Sequence, residues 1–178
     1  MMVLKNMYVV FAAFVIIAFA ASPARAEISF AFVDVQRIMT ESKAAQSIQK
    51  QVQEQREKLQ SEFSGYEQTL RANEKELIEN RADMEAEEFK SKRDEFQKDL
   101  QETGALVQDK KRNLEKALVT ATAKLRGEIL KIVAQLAEER NYDVVMTRQN
   151  IVLAAKSLDI TDDVMQAIDT KITSIPLE

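Results

Sequence analysis

The sequence predicts a mostly helical α+β protein, with a long helical hairpin (a coiled-coil arm) projecting from a small oligomeric β body. Three observations predict it. Roughly 100 of the 178 residues, Ser42 to Arg140, contain no proline and carry apolar side chains at spacings of three and four. That pattern lapses over the polar stretch Glu79–Glu88 and then resumes. Short apolar stretches rich in β-branched residues stand on both sides of the helical region.

The chain opens with Lys5, an apolar run from Tyr8 to Ala21, and Ala24-Arg25-Ala26. A run of about 14 apolar residues is short of the ~20 that span a bilayer, and small residues at Ala24 and Ala26 suit a signal peptidase. Residues 1–26 are therefore expected to be a cleaved signal peptide, directing the mature chain out of the cytoplasm. Cleavage removes two of the 25 basic residues and none of the 29 acidic ones, so the mature chain is more acidic than the −4 of the whole. There is no Cys, hence no disulfide framework, and no His, the commonest general base and zinc ligand.

Glu27–Val35 reads as a buried strand with two apolar faces, Phe30 and Phe32 on one, Ala31, Val33 and Val35 on the other. Asp34 is expected to cap the helical turn that begins at Gln36, and Ser42 to cap the first arm. Val52, Leu59, Phe63, Tyr66, Leu70 and Leu77 form the first seam, and the arm runs to about Asn80. Asp83 is a candidate cap for the second arm, with Glu85, Glu87 and Glu88 in its first turn, where the helix dipole favours acids. Its seam is Phe89, Phe96, Leu100, Val107, Leu114, Leu118, Ala121 and Leu125. At ~1.5 Å per residue an arm of about 40 residues is about 60 Å long. Asn141 suits a left-handed terminator. Tyr142–Thr147 and Ile151–Ala155 are expected to pair as a hairpin across the turn Arg148–Asn150. Thr161 or Asp162 would cap a short helix carrying Val164, Ile168 and Ile172.

The expected division is 1–26 signal peptide, 42–140 arm, and 27–41 with 141–178 as body. So small a body buries little core alone, so its strands are expected to associate between subunits through Phe30, Phe32, Val33, Val35, Val144, Val145, Ile151 and Leu153.

Three stretches carry a family resemblance: Phe32–Ser42 (FVDVQRIMTES), Asn141–Met146 (NYDVVM) and Ser157–Asp163 (SLDITDD). Flanking one long helical hairpin, they resemble the Skp (OmpH-like) family of periplasmic chaperones, with Asn141 where glycine is usual. The resemblance implies a periplasmic homotrimer with a central β-barrel body. Its hairpins would form flexible arms around a cavity that holds unfolded outer-membrane proteins without ATP. One departure stands out. The best-known members are strongly basic, whereas Arg71–Phe96 holds nine acids against six bases. A cationic arm tip meeting lipopolysaccharide or an anionic membrane is not supported.

Phe63, Tyr66, Phe89 and Phe96 are the candidate contacts to apolar client segments, and their spacing equally suits closure of the hairpin seam. Gly65, Gly104 and Gly127 lie inside the arms, each costing about 1 kcal/mol relative to Ala, either as tolerated positions or as soft spots for bending. No nucleophile elbow, phosphate loop or metal-ligand spacing is present, and the Glu85–Glu88 cluster lacks the loop that wraps calcium. Neither enzymatic activity nor a cofactor is expected, and the acidic balance with an export signal disfavours nucleic acid. The expectation is a holdase chaperone; the alternative is a structural coiled-coil envelope protein bridging folded partners.

Overall fold

The structure, a computed structural model, describes residues 28–178; the expected signal peptide lies outside the described residues. Strand β1 (Phe30–Val33) leads into a short helix α1 (Val35–Glu41). Two long helices follow, α2 (Lys43–Glu79) and α3 (Ala86–Glu139), joined through a 3-10 turn at Asn80–Asp83. Strand β2 (Val144–Thr147) and helix α4 (Thr161–Lys171) complete the chain. The mostly helical fold with a long hairpin and a small sheet is as expected.

Local signals explain most boundaries. β1 is shorter than expected because Asp34 turns the chain: its Oδ1 accepts the Arg37 N–H at 2.9 Å, so Val35 opens α1 instead of closing the strand. Ser42 divides α1 from α2. Its extended backbone breaks the helix, its N–H donates to the Ile38 carbonyl at 3.2 Å, and its Oγ accepts the Ala45 N–H at 3.2 Å. Helix α3 ends at Asn141, whose φ of 55° allows the Tyr142 N–H to reach the Ala137 carbonyl at 2.9 Å and the Asn141 N–H to reach that of Glu138 at 3.3 Å. These two bonds are the Schellman pattern, with asparagine in the usual place of glycine.

Three expectations fail. Asp83 does not cap α3. It belongs to the 3-10 turn, and Glu85 holds the cap position without a side-chain bond. Ile151–Ala155 forms no strand among the described residues. The sheet is β1 paired in parallel with β2, Phe30 opposite Val144 through Val33 opposite Thr147. A parallel pair needs a long crossover, which the helical hairpin supplies, whereas 151–155 pairs with no strand among the described residues, and its ends bond into the neighbouring 3-10 turns instead. Helix α4 is not capped by Thr161 or Asp162. Asp159 Oδ1 instead accepts the Thr161 N–H at 2.9 Å, and Thr161 Oγ1 accepts the Asp34 N–H at 2.8 Å.

The core sits where the roots of the arms meet the body. Ile38 of α1, Ala45 and Ile48 of α2, and Leu125, Ile129 and Ile132 of α3 pack with Ile160, Val164 and Ile168, all nearly free of solvent. Helix α3 spans 54 residues, close to the limits that Asp83 and Asn141 suggest, and its last turns belong to this core. Beyond Val52 on α2 and before Ala117 on α3, the seam residues are half-buried at best, and Leu100 is exposed.

One ion pair crosses from arm to arm. Lys110 Nζ lies 2.5 Å from Glu62 Oε2, both side chains about one-third exposed. The hydrogen bond from Lys110 holds the Glu62 carboxyl below its ordinary value, and the bond to Glu62 raises the Lys110 ammonium. A depressed carboxylate stabilises the fold above its unfolded value and loses that contribution as pH falls through the folded value.

Two outcomes follow from this packing. Leu125→Ala, at a site 1% exposed, is expected to lower unfolding free energy by about 3 kcal/mol in urea titrations, while Val119→Ala, at 69% exposure, stays within about 0.5 kcal/mol. Thermal melts of the wild type are expected to lose stability as pH falls below about 4.5, and Glu62→Gln to flatten part of that loss.

Candidate functional site

Two cylinders in contact touch along a line, so the interface between α2 and α3 leaves channels along its length. Three concavities lie along the hairpin from root to tip, the first on one flank of the seam and the other two on the opposite flank. The first, of about 400 Å³, has a floor of Val52, Leu59, Phe63, Leu114 and Leu118. The second, of about 270 Å³, gathers Tyr66, Leu70 and Leu106 with Thr69, Thr103 and Asp99 among its polar walls. The third, of about 240 Å³ near the tip, gathers Leu77, Met84 and Phe96 among Glu76, Glu95, Asp99 and Lys92.

Three of the four aromatic candidates therefore each line one of these concavities: Phe63 the first, Tyr66 the second and Phe96 the third. Each is half-buried, held by the facing helix yet in reach of solvent. Cations cover two of the rings: Lys111 Nζ lies 5.7 Å from the centroid of Phe63, and the Arg81 guanidinium 5.0 Å from that of Phe89. Such contacts contribute about 0.5–1 kcal/mol at exposed sites and yield readily to a better-packed ligand. Acids and bases alternate along the outer faces in pairs one turn apart, such as Lys50–Glu54, Arg71–Glu67 and Lys98–Glu102, each well exposed. They keep the rods solvated and add little stability.

The sheet is the second region of interest. Ala31 and Val33 point into the core, and Phe32 is 4% exposed beneath the Arg148 guanidinium, 5.6 Å from its ring. Phe30, Val144 and Met146 are about 40% exposed, and Val152 and Leu153 are almost wholly so. Of the eight residues expected in the body interface, Phe32 and Val33 are buried within the chain. Val35, Val145 and Ile151 are half-buried, and Phe30, Val144 and Leu153 face solvent. The exposed ones form an apolar surface on and around the sheet.

Two functional contributions escape sequence reasoning. Asp159 and Thr161 lock β1 to α4, with the Ile160 N–H on the Phe32 carbonyl at 2.9 Å. In the sequence they stand in SLDITDD, which suggests a helix cap and carries part of the family resemblance, and nothing there points to the contact with β1. The C-terminal tail is the other: Ile175 is buried in the core, and Gln51 holds the backbone on either side of Pro176. Among the described residues, no group of His, Cys, Asp and Glu side chains gathers in a way that could hold a metal ion.

A long hairpin rooted in a core beside a parallel strand pair is an architecture that can be compared directly. The crystal structure at 2.83 Å of a candidate outer membrane chaperone (OmpH-like) from Caulobacter crescentus CB15 aligns with a TM-score of 0.78. The two share 16% identity over 89% of this chain and 94% of that one, a likeness of fold. Comparison with curated proteins by sequence gives no match. The family model described as outer membrane protein (OmpH-like) matches residues 29–168, across the sheet, both arms and most of α4, and the chain belongs to the OmpH-like family.

Proposed function

We propose that this protein is a periplasmic, ATP-independent holdase that surrounds unfolded outer-membrane proteins with its arms and limits their aggregation. The observation that carries this reading is the half-exposed seam of the hairpin. Concavities recur from root to tip, two with mainly apolar linings and a more polar one near the tip, each too small for a folded partner and each bounded by charged or polar side chains. An unfolded chain offers no fixed shape, so several weak apolar contacts hold it without trapping it. OmpH-like family membership over residues 29–168 and the fold shared with the Caulobacter protein support the same reading.

Arms that surround a client have to belong to more than one subunit. The exposed apolar residues of the sheet, Phe30, Val144 and Met146, with Val152 and Leu153 beside them, support association through this surface, as a trimer in our reading. Ile151–Ala155, without a strand partner among the described residues, would then pack against a neighbouring subunit.

The arms must also adapt to clients of different size. A Cβ added at Gly65 or Gly104 would meet open space, so neither glycine is demanded by packing. With Glu62 beside Lys110 and Tyr66 grouped with Leu106, the two glycines lie within about one helical turn along the hairpin axis. Thr69 Oγ1 also donates to the Gly65 carbonyl at 3.1 Å, a bond that favours local bending.

Dilution of a urea-unfolded outer-membrane β-barrel protein into buffer with the mature chain is expected to give scattering that falls and saturates near one client per oligomer. Unaltered scattering with a folded, oligomeric protein rejects the reading. Gly65→Ala with Gly104→Ala is expected to raise the melting temperature by a few degrees and to narrow the range of client sizes protected, read in the same assay with a small and a large barrel.

A further inference from the structure

The hairpin carries a bound extended segment already, and it is its own C-terminus. Past α4, and past the end of the family match at residue 168, the chain turns back along α2. Gln51 Nε2 donates to the Ile175 carbonyl at 2.8 Å, and its Oε1 accepts the Leu177 N–H at 3.2 Å. One side-chain amide thus supplies the two bonds that a neighbouring strand would supply. Ile175 is 2% exposed and Leu177 half-buried, while Pro176 between them faces solvent. Apolar side chains at alternate positions enter the arm from one side, as the period of an extended chain requires.

The tail ends in a channel on one flank of the Leu59 and Leu114 pair, among Gln55, Lys58 and Asn113. The groove of about 400 Å³ lies on the other flank of the same pair, with Arg56, Gln60 and Lys111 at its rim. From Val52 to Phe63 it runs about 16 Å, the length of about five extended residues. Its floor is apolar, its rims are polar, and the amide of Gln60 stands exposed beside it.

We propose that this open groove takes one extended segment of an unfolded β-barrel membrane protein, seated through apolar side chains at alternate positions as Ile175 and Leu177 are seated on the opposite flank. The proposal rests on the holdase reading and names the part of the client that is held. Strands of membrane barrels alternate apolar and polar residues, so an extended stretch places all its apolar groups on one side. A narrow apolar floor between polar rims complements that pattern, and not an amphipathic helix, which is about 10 Å across.

The test uses the mature chain and a fluorescein-labelled nonapeptide with leucine at alternate positions between serines and threonines. Its isomer carries the same residues with the leucines at helical spacing. Fluorescence anisotropy is expected to give the alternating peptide about tenfold tighter binding. Gln60→Trp, which fills the groove from an exposed position, is expected to remove that preference with helicity and melting temperature unchanged. Gln55→Trp, on the flank of the tail, leaves the affinity within about twofold. Equal binding of the two peptides, or a preference that survives Gln60→Trp, overturns the proposal. A chain that suppresses client scattering yet binds both peptides alike loses the groove alone. One that discriminates the peptides but fails to suppress scattering loses the holdase reading and keeps the preference of the groove for alternating segments.

Discussion

A hairpin of two solvated helices has one apolar seam and no second layer to bury it, so it cannot hold its own geometry over ~60 Å. What anchors it is the packing at its root. Leu125, Ile129 and Ile132 of α3 meet Ala45 and Ile48 of α2 there, and Ile38, Val164 and Ile168 close the cluster from the two short helices. Segments from both ends of the chain are therefore required before either arm has a fixed direction. The Asp34, Thr161 and Asp159 network ties those ends together, passing the exit of β1 directly to the start of α4.

The same geometry explains why the arms are useful while being poorly packed. Burial declines away from the root, so Phe63, Tyr66, Leu70 and Phe96 are each satisfied on one side only. Charged pairs along the outer faces and the Glu62–Lys110 contact between the arms keep this partly apolar surface in solution and in register. At the root, the tail covers one flank of the seam and leaves the other open. A client-binding surface of this kind needs no pocket of fixed shape, which agrees with the diffuse and weak contacts proposed for it.

Much of the framework was legible in the residues because it is encoded within a turn or two of sequence. Ser42 and Asp34 cap helices through bonds to residues three positions on, and Asn141 ends α3 through its own backbone conformation. The heptad seams announced both arms, since their partner is an antiparallel copy of the same pattern. The misreadings arose where a local signal had a distant competitor. Thr161 looked like a helix cap, but its hydroxyl is taken by the backbone of Asp34, 127 positions away in sequence. Ile151–Ala155 has strand composition, yet pairing is a property of two segments, and the chain folds with β1 beside β2 instead. Of the candidate contacts, the sequence marked the aromatics but not which flank of the seam each one lines, because that depends on the relative rotation of two helices.

The sequence by itself determined the class of the fold, the existence and approximate limits of the two arms, and the acidic character of their ends. Each of these follows from periodicity, capping and charge, which act between near neighbours. Only the tertiary structure decided that β1 and β2 run parallel, that the core draws on the roots of the arms, and that the tail lies against Gln51 while the far flank of Leu59 and Leu114 stays open. Those outcomes depend on which distant surfaces exclude water together, and no local pattern of residues specifies that.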